Sequence, residues 1–591
     1  MRIDREDTHR EWKVIKERKE DGTYFNMDRD DGMGGRSRVE ELSAKTNYLS
    51  SNIYSKYQFT LEDKHNFNVM AGFQAEVNKY KDISAGRDGM ISESVPTIGN
   101  TVSDTYSIGS TLFEWATAGF FGSVNYDYAG KYLLELKYRY DGSSRFLRGN
   151  RWKHYPSVSA AYNIARESFM EPYNHIVNTL KVRASYANLG NQNTSDYYPF
   201  YSAMNLGVGT GSWLINFLRP NVANPPDVIS PMLTWETVKS YDIGLDWGFF
   251  NNRLTGSADY FWRYTNDMVA PGEELPNVVG VESPYTNNAR MLTKGWELSI
   301  AWRDRLASGL GYGVTFVMSD ALSEILSYPN STMNISQYYQ GQKLGEIWGY
   351  ETNGLAKTNQ EMEAHLASLP NGGQDALGTN WAAGDIMYKD LNGDGKIDGG
   401  QGVLGNTGDR VVIGNETPRY NFGLTLDADY KGFDLRVFFQ GVLKRDKWLS
   451  GLYMYGVDGT YWQSTCLEET MDYFRPADTD SYFGPNVDGY LPRPLLGASA
   501  NNNKAVNSQY LQNAAYMRCK NIQIGYTFPE KITSRIGLNN LRMYLSAENV
   551  FTVSGLKAEA FDPEVLDGHA AGSGKAAPLK KTISFGLNIT L

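Results

Sequence analysis

Hydrophobic and polar residues alternate without a break through the last ten residues of the chain, 582–591. Ile583 and every second residue after it are apolar, whereas the residues between them are Ser, Gly, Asn or Thr. A period of two predicts a β-strand with one apolar face and one face in water. A chain that ends inside such a strand suggests a sheet that closes on itself and leaves no long edge bare.

The alternation is clearest in a predicted hairpin, in which residues 120–128 and 132–140 flank a turn at 129–130. Each strand is close to the roughly ten residues that a tilted membrane strand needs. One face is apolar with tyrosines near its ends, as in the aromatic girdles of membrane barrels. The other face carries Glu135, Lys137 and Arg139. A dry core would not tolerate these charges unpaired, whereas a water-filled lumen would.

Predicted tight turns alternate along the chain with long polar connections. Two more tight turns follow at 251–252 and 431–432, and the long connections run over 191–232, 323–345, 351–415 and 445–512. Short turns at one rim and long loops at the other are typical of an outer-membrane barrel. The alternative is a set of soluble β-sandwiches, whose strands also alternate.

The strand pattern covers the whole chain but is short of a complete large barrel. An early hairpin is predicted over 46–61 and 65–77, a polar loop over 78–113, and a bulge between Cys519 and Ile522, where the apolar phase shifts. About 14 to 16 strands can be placed, against 22 in plugged transporter barrels. We therefore predict an all-β fold, a transmembrane antiparallel β-barrel portion over residues 1–591, with the first strands missing.

Composition narrows the possible functions. The 591 residues include 13% aromatic residues and 59 Gly, which fits an all-β chain with many turns. A net charge of −10 argues against nucleic-acid binding, and two cysteines are too few for a disulfide scaffold or a zinc cluster. There is neither a run of 18 apolar residues nor a signal peptide. We expect the sequence to be a fragment of a longer exported chain.

Several segments, in the same order along the chain, are similar to one family. The chain resembles the SusC/RagA-type TonB-linked outer-membrane proteins of Bacteroidetes-like bacteria. The matching segments include YRYDGSSRFLRGNRWKHYPSVSAAYNIARESFM (138–170), LTWETVKSYDIGLDWGFFNNRLTGSADYFWRYTNDMV (233–269), GDIMYKDLNGDGKID (384–398), IGNETPRYNFGLTLDADYKGFDLRVFFQG (413–441), YMRCKNIQIGYTFPE (516–530), LRMYLSAENVFTVSG (541–555) and FDPE (561–564).

The resemblance implies a β-barrel of the TonB-dependent transporter type in the cell outer membrane, in contact with lipid and lipopolysaccharide and without enzymatic activity. It implies import of large nutrients, typically oligosaccharides and sometimes peptides. It also implies a SusD-like surface lipoprotein over the loops, and energy from the TonB–ExbB–ExbD complex through an N-terminal plug. The sequence shows no match to the plug, so we expect the fragment alone to be unable to couple to TonB.

One motif within 351–415 resembles the first part of an EF-hand calcium loop. DLNGDGKID places side-chain oxygens at loop positions 1, 3 and 5, glycine at 6, a backbone carbonyl at 7 and a carboxylate at 9. Position 12 is Gln401, so a later acid is the displaced candidate for the missing ligand. The predicted structural Ca²⁺ ligands are Asp390, Asn392, Asp394, Lys396, Asp398 and Asp409. The alternative is an Asx-rich turn without metal.

Aromatic residues in the long loops are candidates for stacking on sugar rings, because Tyr and Trp favour sites that are part apolar and part wet. They are Tyr197, Tyr198, Trp213, Tyr338, Tyr339, Tyr461 and Trp462. Their alternative role is loop packing or contact with a lid. The acid pairs Asp242/Asp246 and Asp427/Asp429 could indicate a glycosidase, but on a wet strand face they are interpreted as lumen charges.

Three functions are compatible with these observations. The first is the barrel portion of an active outer-membrane glycan importer. The second is a secreted, soluble β-rich protein that binds or hydrolyses carbohydrate. The third is a siderophore or peptide receptor with the same barrel architecture.

Overall fold

A computed structural model describes most of the chain: residues 2–12, 16–18, 24–26, 37–193, 197–198, 200–202, 204, 206–208, 214–215, 219–223, 228–230, 232–273, 275–281, 283–456, 467–496, 501–567 and 576–590. Within these residues, no helix has the length and apolar character needed to cross a membrane.

The dominant element is one antiparallel sheet of sixteen strands, in which each strand pairs with its neighbours along the chain. The strands are β1 (Arg2–Trp12), β2 (Arg38–Leu61), β3 (His65–Asp88), β4 (Tyr106–Tyr128), β5 (Tyr132–Ser143), β6 (Trp152–Asn163), β7 (Val177–Asn191), β8 (Glu236–Phe249), β9 (Leu254–Pro271), β10 (Tyr285–Arg305), β11 (Gly311–Ser327), β12 (Arg419–Tyr430), β13 (Phe433–Lys444), β14 (Tyr516–Thr527), β15 (Asn540–Ser554) and β16 (Thr582–Thr590).

The two faces of this sheet differ as the alternation predicts. Large apolar side chains stand exposed on what we call the outer face, with Ile53 71%, Leu112 78% and Ile583 76% exposed. The charged residues of β5 lie opposite residues 121–125 of β4, on the other side of the sheet, which we call the inner wall. A belt of exposed apolar side chains is the surface that a membrane barrel turns toward lipid. The prediction of one apolar and one wet face is confirmed.

Successive connections lie at opposite ends of the antiparallel sheet, and those at one end are mostly shorter. The connections at that end lie over 62–64, 129–131, 164–176, 250–253, 306–310, 431–432 and 528–539, and those at the other end, which include all the longest ones, lie over 13–37, 89–105, 144–151, 192–235, 272–284, 328–418, 445–515 and 555–581. The predicted turn at Ala129 and Gly130 has φ angles of 51° and 68°, and that at Lys431 and Gly432 has 48° and 89°. Positive φ at both central residues matches the right-handed twist of the paired strands. All long loops therefore meet at one rim.

Two details of strand placement differ from or refine the sequence prediction. The predicted loop over 78–113 is wrong, because β3 continues to Asp88 and β4 begins at Tyr106. The extension of β3 carries Lys79, Lys81 and Arg87 on the outer face and so lacks the alternation, whereas residues 106–112 of β4 do alternate, with Tyr106, Ile108 and Leu112 on that face. The predicted bulge is confirmed, since the register of β14 with β15 shifts between Cys519 and Asn521.

Among the described residues β1 pairs only with β2 and β16 only with β15, so closure of the sheet stays a prediction.

Three of the long loops fold together into what we call the loop assembly, residues 328–418, 445–515 and 555–581. It contains a helix α1 (Asn359–Ala367), a helix α2 (Leu452–Tyr455), a 3-10 turn Glu468–Thr470 and three small strand pairs: Glu346–Tyr350 with Arg410–Asn415, Thr352–Leu355 with Ile386–Tyr388, and Asp446–Lys447 with Gln512–Asn513. Smaller elements elsewhere are α3 (Glu530–Thr533), the strand pairs Lys16–Arg18 with Tyr24–Asn26 and Leu206–Val208 with Asn221–Ala223, and 3-10 turns at Ile98–Asn100, Ile164–Arg166, Ser168–Tyr173, Asn277–Val279 and Ser534–Ile536.

The loop assembly has its own hydrophobic core. Thirteen buried residues from all three loops form it: Tyr350, Leu369, Ile386, Tyr388, Ile397, Leu449, Met454, Tyr455, Leu491, Tyr510, Ala514, Phe561 and Leu566. Two of its tyrosine hydroxyls make hydrogen bonds, since Tyr388 donates to the carbonyl of Asn502 at 3.0 Å and Tyr510 to the carbonyl of Tyr490 at 3.0 Å, whereas the buried hydroxyl of Tyr455 has no partner among the described residues. The long loops are thus a packed unit at the rim.

Candidate substrate-facing site

The inner wall carries a dense set of ion pairs across β7, β8 and β9. Arg183 lies 2.7 Å from Asp259, 3.0 Å from Asp246 and 3.7 Å from Asp242, and Lys181 lies 2.8 Å from Asp246. The β7–β8 and β8–β9 registers place all five side chains on the same face. The geometry supports the interpretation of Asp242 and Asp246 as wall charges, because each of them forms an ion pair with Arg183 or Lys181.

A second set of ion pairs lies on the inner wall near the short turns. Arg305 pairs with Asp429 at 2.7 Å, Arg436 with Asp427 at 2.7 Å and Arg542 with Asp434 at 2.6 Å. Two acids that each have a basic partner do not form the acid–base pair of a glycosidase, in which two carboxyl groups flank the scissile bond. The second acid pair is also a feature of the wall.

The structure places only part of the predicted aromatic set. Trp213, Tyr461 and Trp462 lie outside the described residues. Tyr197 stacks on Phe113 with ring centroids 4.5 Å apart. The Tyr198 hydroxyl donates to the carbonyl of Glu114, and its ring meets Phe200 edge-on at 6.0 Å. Both tyrosines therefore pack against the wall or a neighbouring loop residue.

The other two aromatic candidates are in the loop assembly. Tyr338 is 50% exposed, whereas Tyr339 is 4% exposed and its hydroxyl donates to Glu346 at 2.6 Å. Burial, together with this hydrogen bond, raises the pKa of the Tyr339 hydroxyl to about 12. Tyr339 is thus a packing residue, whereas Tyr338 is half exposed and its ring meets Tyr328 edge-on with centroids 5.5 Å apart.

The structure adds residues that sequence reasoning missed. The Arg145 guanidinium carbon lies 4.7 Å from the ring centroid of Tyr197 and 5.5 Å from that of Trp115. Phe113 and Trp115 are two apart on β4 and so share a face. The sequence predicts a loop up to residue 113 and a strand only from residue 120, so it does not place Phe113 and Trp115 on a strand. Their contacts with Arg145 and Tyr197 join distant parts of the chain.

The calcium-like motif forms a tight turn. Asp390 accepts the N–H groups of Gly393 at 2.6 Å and Gly395 at 2.9 Å, and Asn392 accepts that of Asp394 at 2.9 Å. Asp394 in turn accepts the N–H of Lys396 at 3.2 Å. Glycine fits two of these positions, because φ is 75° at Gly393 and 78° at Gly395. These contacts are those of the Asx-turn alternative.

The later acids of the motif close the same loop. Asp409 is fully buried and accepts the N–H groups of Leu391 at 2.8 Å and Asp398 at 2.9 Å. Burial raises the pKa of the Asp409 carboxyl, and the hydrogen bond from Lys396 lowers that of Asp398. In the described part of the chain, no three His, Cys, Asp or Glu side chains converge closely enough to hold a metal. The side-chain oxygens therefore organise the loop backbone.

Sequence and structure comparisons agree with this geometry. The family described as TonB dependent receptor-like, beta-barrel matches residues 8–541. The chain belongs to this family. It is 29% identical over 551 residues to TonB-dependent receptor P3 of Formosa agariphila, covering 90% of this chain and 50% of that protein. It is 25% identical over 558 residues to TonB-dependent receptor SusC of Bacteroides thetaiotaomicron, covering 92% of this chain and 50% of that one.

The solved structure of the RagAB peptide transporter matches with a TM-score of 0.75 at 19% identity, covering 99% of this chain and 59% of that one, which shows a shared fold. The predicted SusC/RagA type, the barrel fold and the outer-membrane location are thereby confirmed. The relatives are named as receptors and transporters, consistent with a non-enzymatic role. The chain spans about half the length of the curated relatives it matches.

Proposed function

We propose that this chain forms wall and loops of an outer-membrane importer that takes up oligosaccharides with energy supplied by TonB. The observation that carries the proposal is the two-faced sheet, because an apolar outer face and an ion-paired inner wall suit a hydrated passage through lipid. Family membership supports the same conclusion.

Oligosaccharides suit the chemistry of the inner wall. A groove of about 810 Å³ runs along β2–β8. Carboxylate and amide side chains line it, among them Asn68, Asn125, Asp127, Glu135 and Asp242. Such groups exchange hydrogen bonds with sugar hydroxyls as readily as with water. The second candidate cargo is a peptide, because the chain shares its fold with a transporter whose structure is titled as a peptide transporter.

The proposal includes two protein partners. A SusD-like surface lipoprotein would cover the rim, where the loop assembly with its own hydrophobic core offers a docking surface. The TonB–ExbB–ExbD complex would act through a part of the full-length protein that lies outside the matched half of the relatives.

Uptake by cells that produce the full-length protein tests the proposal. Fluorescent oligosaccharides and fluorescent peptides of equal length are supplied in separate arms. We expect oligosaccharide accumulation that disappears when TonB is deleted or the proton-motive force is collapsed. Peptide accumulation alone would assign the passage to peptides, and accumulation of neither would contradict the proposal.

We also propose that the turn at 390–409 binds Ca²⁺ as a structural ion. Two observations support this. A carboxylate oxygen that accepts one N–H group keeps a second lone pair for a cation. Buried Asp409 also forms no ion pair with any Lys or Arg among the residues described. Carboxylate and amide oxygens are the ligands that Ca²⁺ prefers.

Melting of the full-length protein in calcium and in EDTA tests the site. We expect calcium to raise the melting temperature of the wild type, and Asp394→Ala to abolish the rise. Asp375→Ala, which changes an exposed acid outside the motif, is the control and should keep the rise. Equal melting of the wild type in calcium and EDTA would leave the metal-free turn as the correct interpretation.

A further inference from the structure

A column of stacked rings lies on the inner wall at the rim formed by the long loops. Tyr80 and Phe113 face each other across β3 and β4 with centroids 4.6 Å apart, and Tyr197 stacks on Phe113. The Arg145 guanidinium covers the free side of Tyr197 and also contacts Trp115. The rings therefore hold a cation at the entrance to the passage.

The loop that carries this cation is anchored by its neighbours. Phe146, which follows Arg145, is 1% exposed and packs against Trp235 with centroids 5.5 Å apart. Arg151 donates from Nε to the carbonyl of Phe146 at 2.8 Å, and Trp235 donates to the carbonyl of Arg151 at 2.7 Å. A guanidinium fixed by stacking and by an anchored backbone loses little freedom when it binds.

The charge of Arg145 has no partner among the residues that the structure describes. Its Nε is buried and makes no hydrogen bond. Asp141 is the acid nearest to Arg145 along the chain, and it already accepts two hydrogen bonds of 2.9 Å from Arg139. The inner-wall cations Arg183, Arg436 and Arg542, by contrast, each pair with an acid. Because Arg145 as a whole is only half-buried, a guanidinium without an acid partner leaves its terminal N–H groups to an external oxyanion.

We propose that Arg145 binds the carboxylate of an acidic oligosaccharide, such as a uronic acid unit, as the cargo enters. This inference rests on the proposed import function and names the class of cargo. The planar guanidinium offers parallel N–H groups that match a carboxylate in a bidentate arrangement. Because Nε is buried, the two terminal nitrogens of the half-buried side chain would supply these groups.

Binding of matched oligomers to the purified full-length protein tests the inference. The probes are a galacturonate hexamer and a neutral galactose hexamer, titrated into the wild type, Arg145→Gln and Arg148→Gln. Arg148 is an exposed arginine three residues away and serves as the matched control. We expect the wild type and Arg148→Gln to bind the acidic hexamer at least tenfold more tightly than the neutral one, and Arg145→Gln to lose this preference while its affinity for the neutral hexamer is unchanged.

Other outcomes separate the inference from the proposed function. Equal binding of both hexamers by the wild type, together with uptake of either, overturns the role of Arg145 and leaves oligosaccharide import standing. If neither hexamer is bound or taken up, both the role of Arg145 and the proposed import of oligosaccharides are overturned. A third probe, a hexapeptide with a free or an amidated C-terminus, covers the remaining source of a carboxylate. If only the free peptide responds to Arg145→Gln, the oligosaccharide assignment is wrong. Heat-modifiable gel mobility checks that each variant is folded.

Discussion

The sheet and the loop assembly place their hydrophobic residues in opposite ways. On the sheet, large apolar side chains such as Leu112 and Ile583 are exposed on the outer face, and charged residues line the inner wall. In the loop assembly, Tyr388, Ile386 and Leu449 are fully buried, as in a water-soluble domain. One chain thus contains two regions built for different solvents.

The difference shows that the exposed fraction of a side chain identifies a hydrophobic core only in a region that is surrounded by water. In water, an apolar sheet face must be covered by a second layer of protein. In a membrane, lipid covers that face, so the outer face needs no protein partner. The loops lie beyond the bilayer and must bury their own apolar groups against one another. Four substitutions test this contrast.

The largest effect is expected from Tyr388→Ala in the core of the loop assembly. Removing a fully buried aromatic side chain typically costs about 3–5 kcal/mol. We expect the loop assembly to lose protection from proteolysis while the sheet keeps its heat-modifiable mobility. Tyr482→Ala removes a 96% exposed ring and should have no effect. Simultaneous melting of sheet and loops would show that the two regions are not separate.

A charge on the outer face comes next. Ile243 is 53% exposed on β8, and replacing it with Lys should lower the free energy of unfolding in lipid vesicles by about 2–4 kcal/mol if the site lies at the bilayer midplane. Ser185→Lys puts the same charge on the inner wall, opposite Asp242, and is the control. Urea unfolding measures both, and an equal cost for the two substitutions would contradict the assignment of faces.

A smaller effect is expected from Arg183→Met on the inner wall. The substitution leaves Asp242 and Asp259 without their shared cation, whereas Lys181 still pairs with Asp246. Because the side chain is 32% exposed in a wet lumen, we expect a coupling of only about 1 kcal/mol in a double-mutant cycle with Asp259→Asn. A coupling that does not fall with added salt would be inconsistent with a water-filled lumen.

The smallest effect concerns acid sensitivity of the loop assembly. The hydrogen bond from Lys396 lowers the pKa of Asp398 in the folded protein. The pair therefore stabilises the fold at pH values above the ordinary carboxyl pKa of about 3.9. This contribution is lost as the pH falls through the lower pKa of the folded state. In EDTA, Asp398→Asn should remove a few tenths of a kcal/mol at neutral pH and little at pH 2. Melting curves at the two pH values measure this difference, and an equal loss at both would exclude the ion pair as the cause.

The faces of the strands and most tight turns could be predicted from the sequence, because alternation and turn chemistry are local. The extension of β3 through Asp88 could not, because Lys79, Lys81 and Arg87 stand on its outer face and break the alternation. The start of β4 at Tyr106 does alternate, and there the prediction of a loop was wrong although the local pattern indicates a strand. The core of the loop assembly joins residues as distant as Ile386 and Phe561, and such packing has no period. The stacking of Arg145 on Tyr197 is non-local for the same reason.

Spin labels placed one at a time along β5 of the full-length protein in lipid vesicles test the central claim most directly. We predict that labels at Leu134, Leu136 and Tyr138 collide with oxygen dissolved in lipid, and that labels at Glu135 and Lys137 collide with a water-soluble nickel complex. Such a period of two would confirm lipid on one face and water on the other. If labels on the apolar face were shielded from both reagents, that face would be packed against protein, and the barrel assignment would be contradicted.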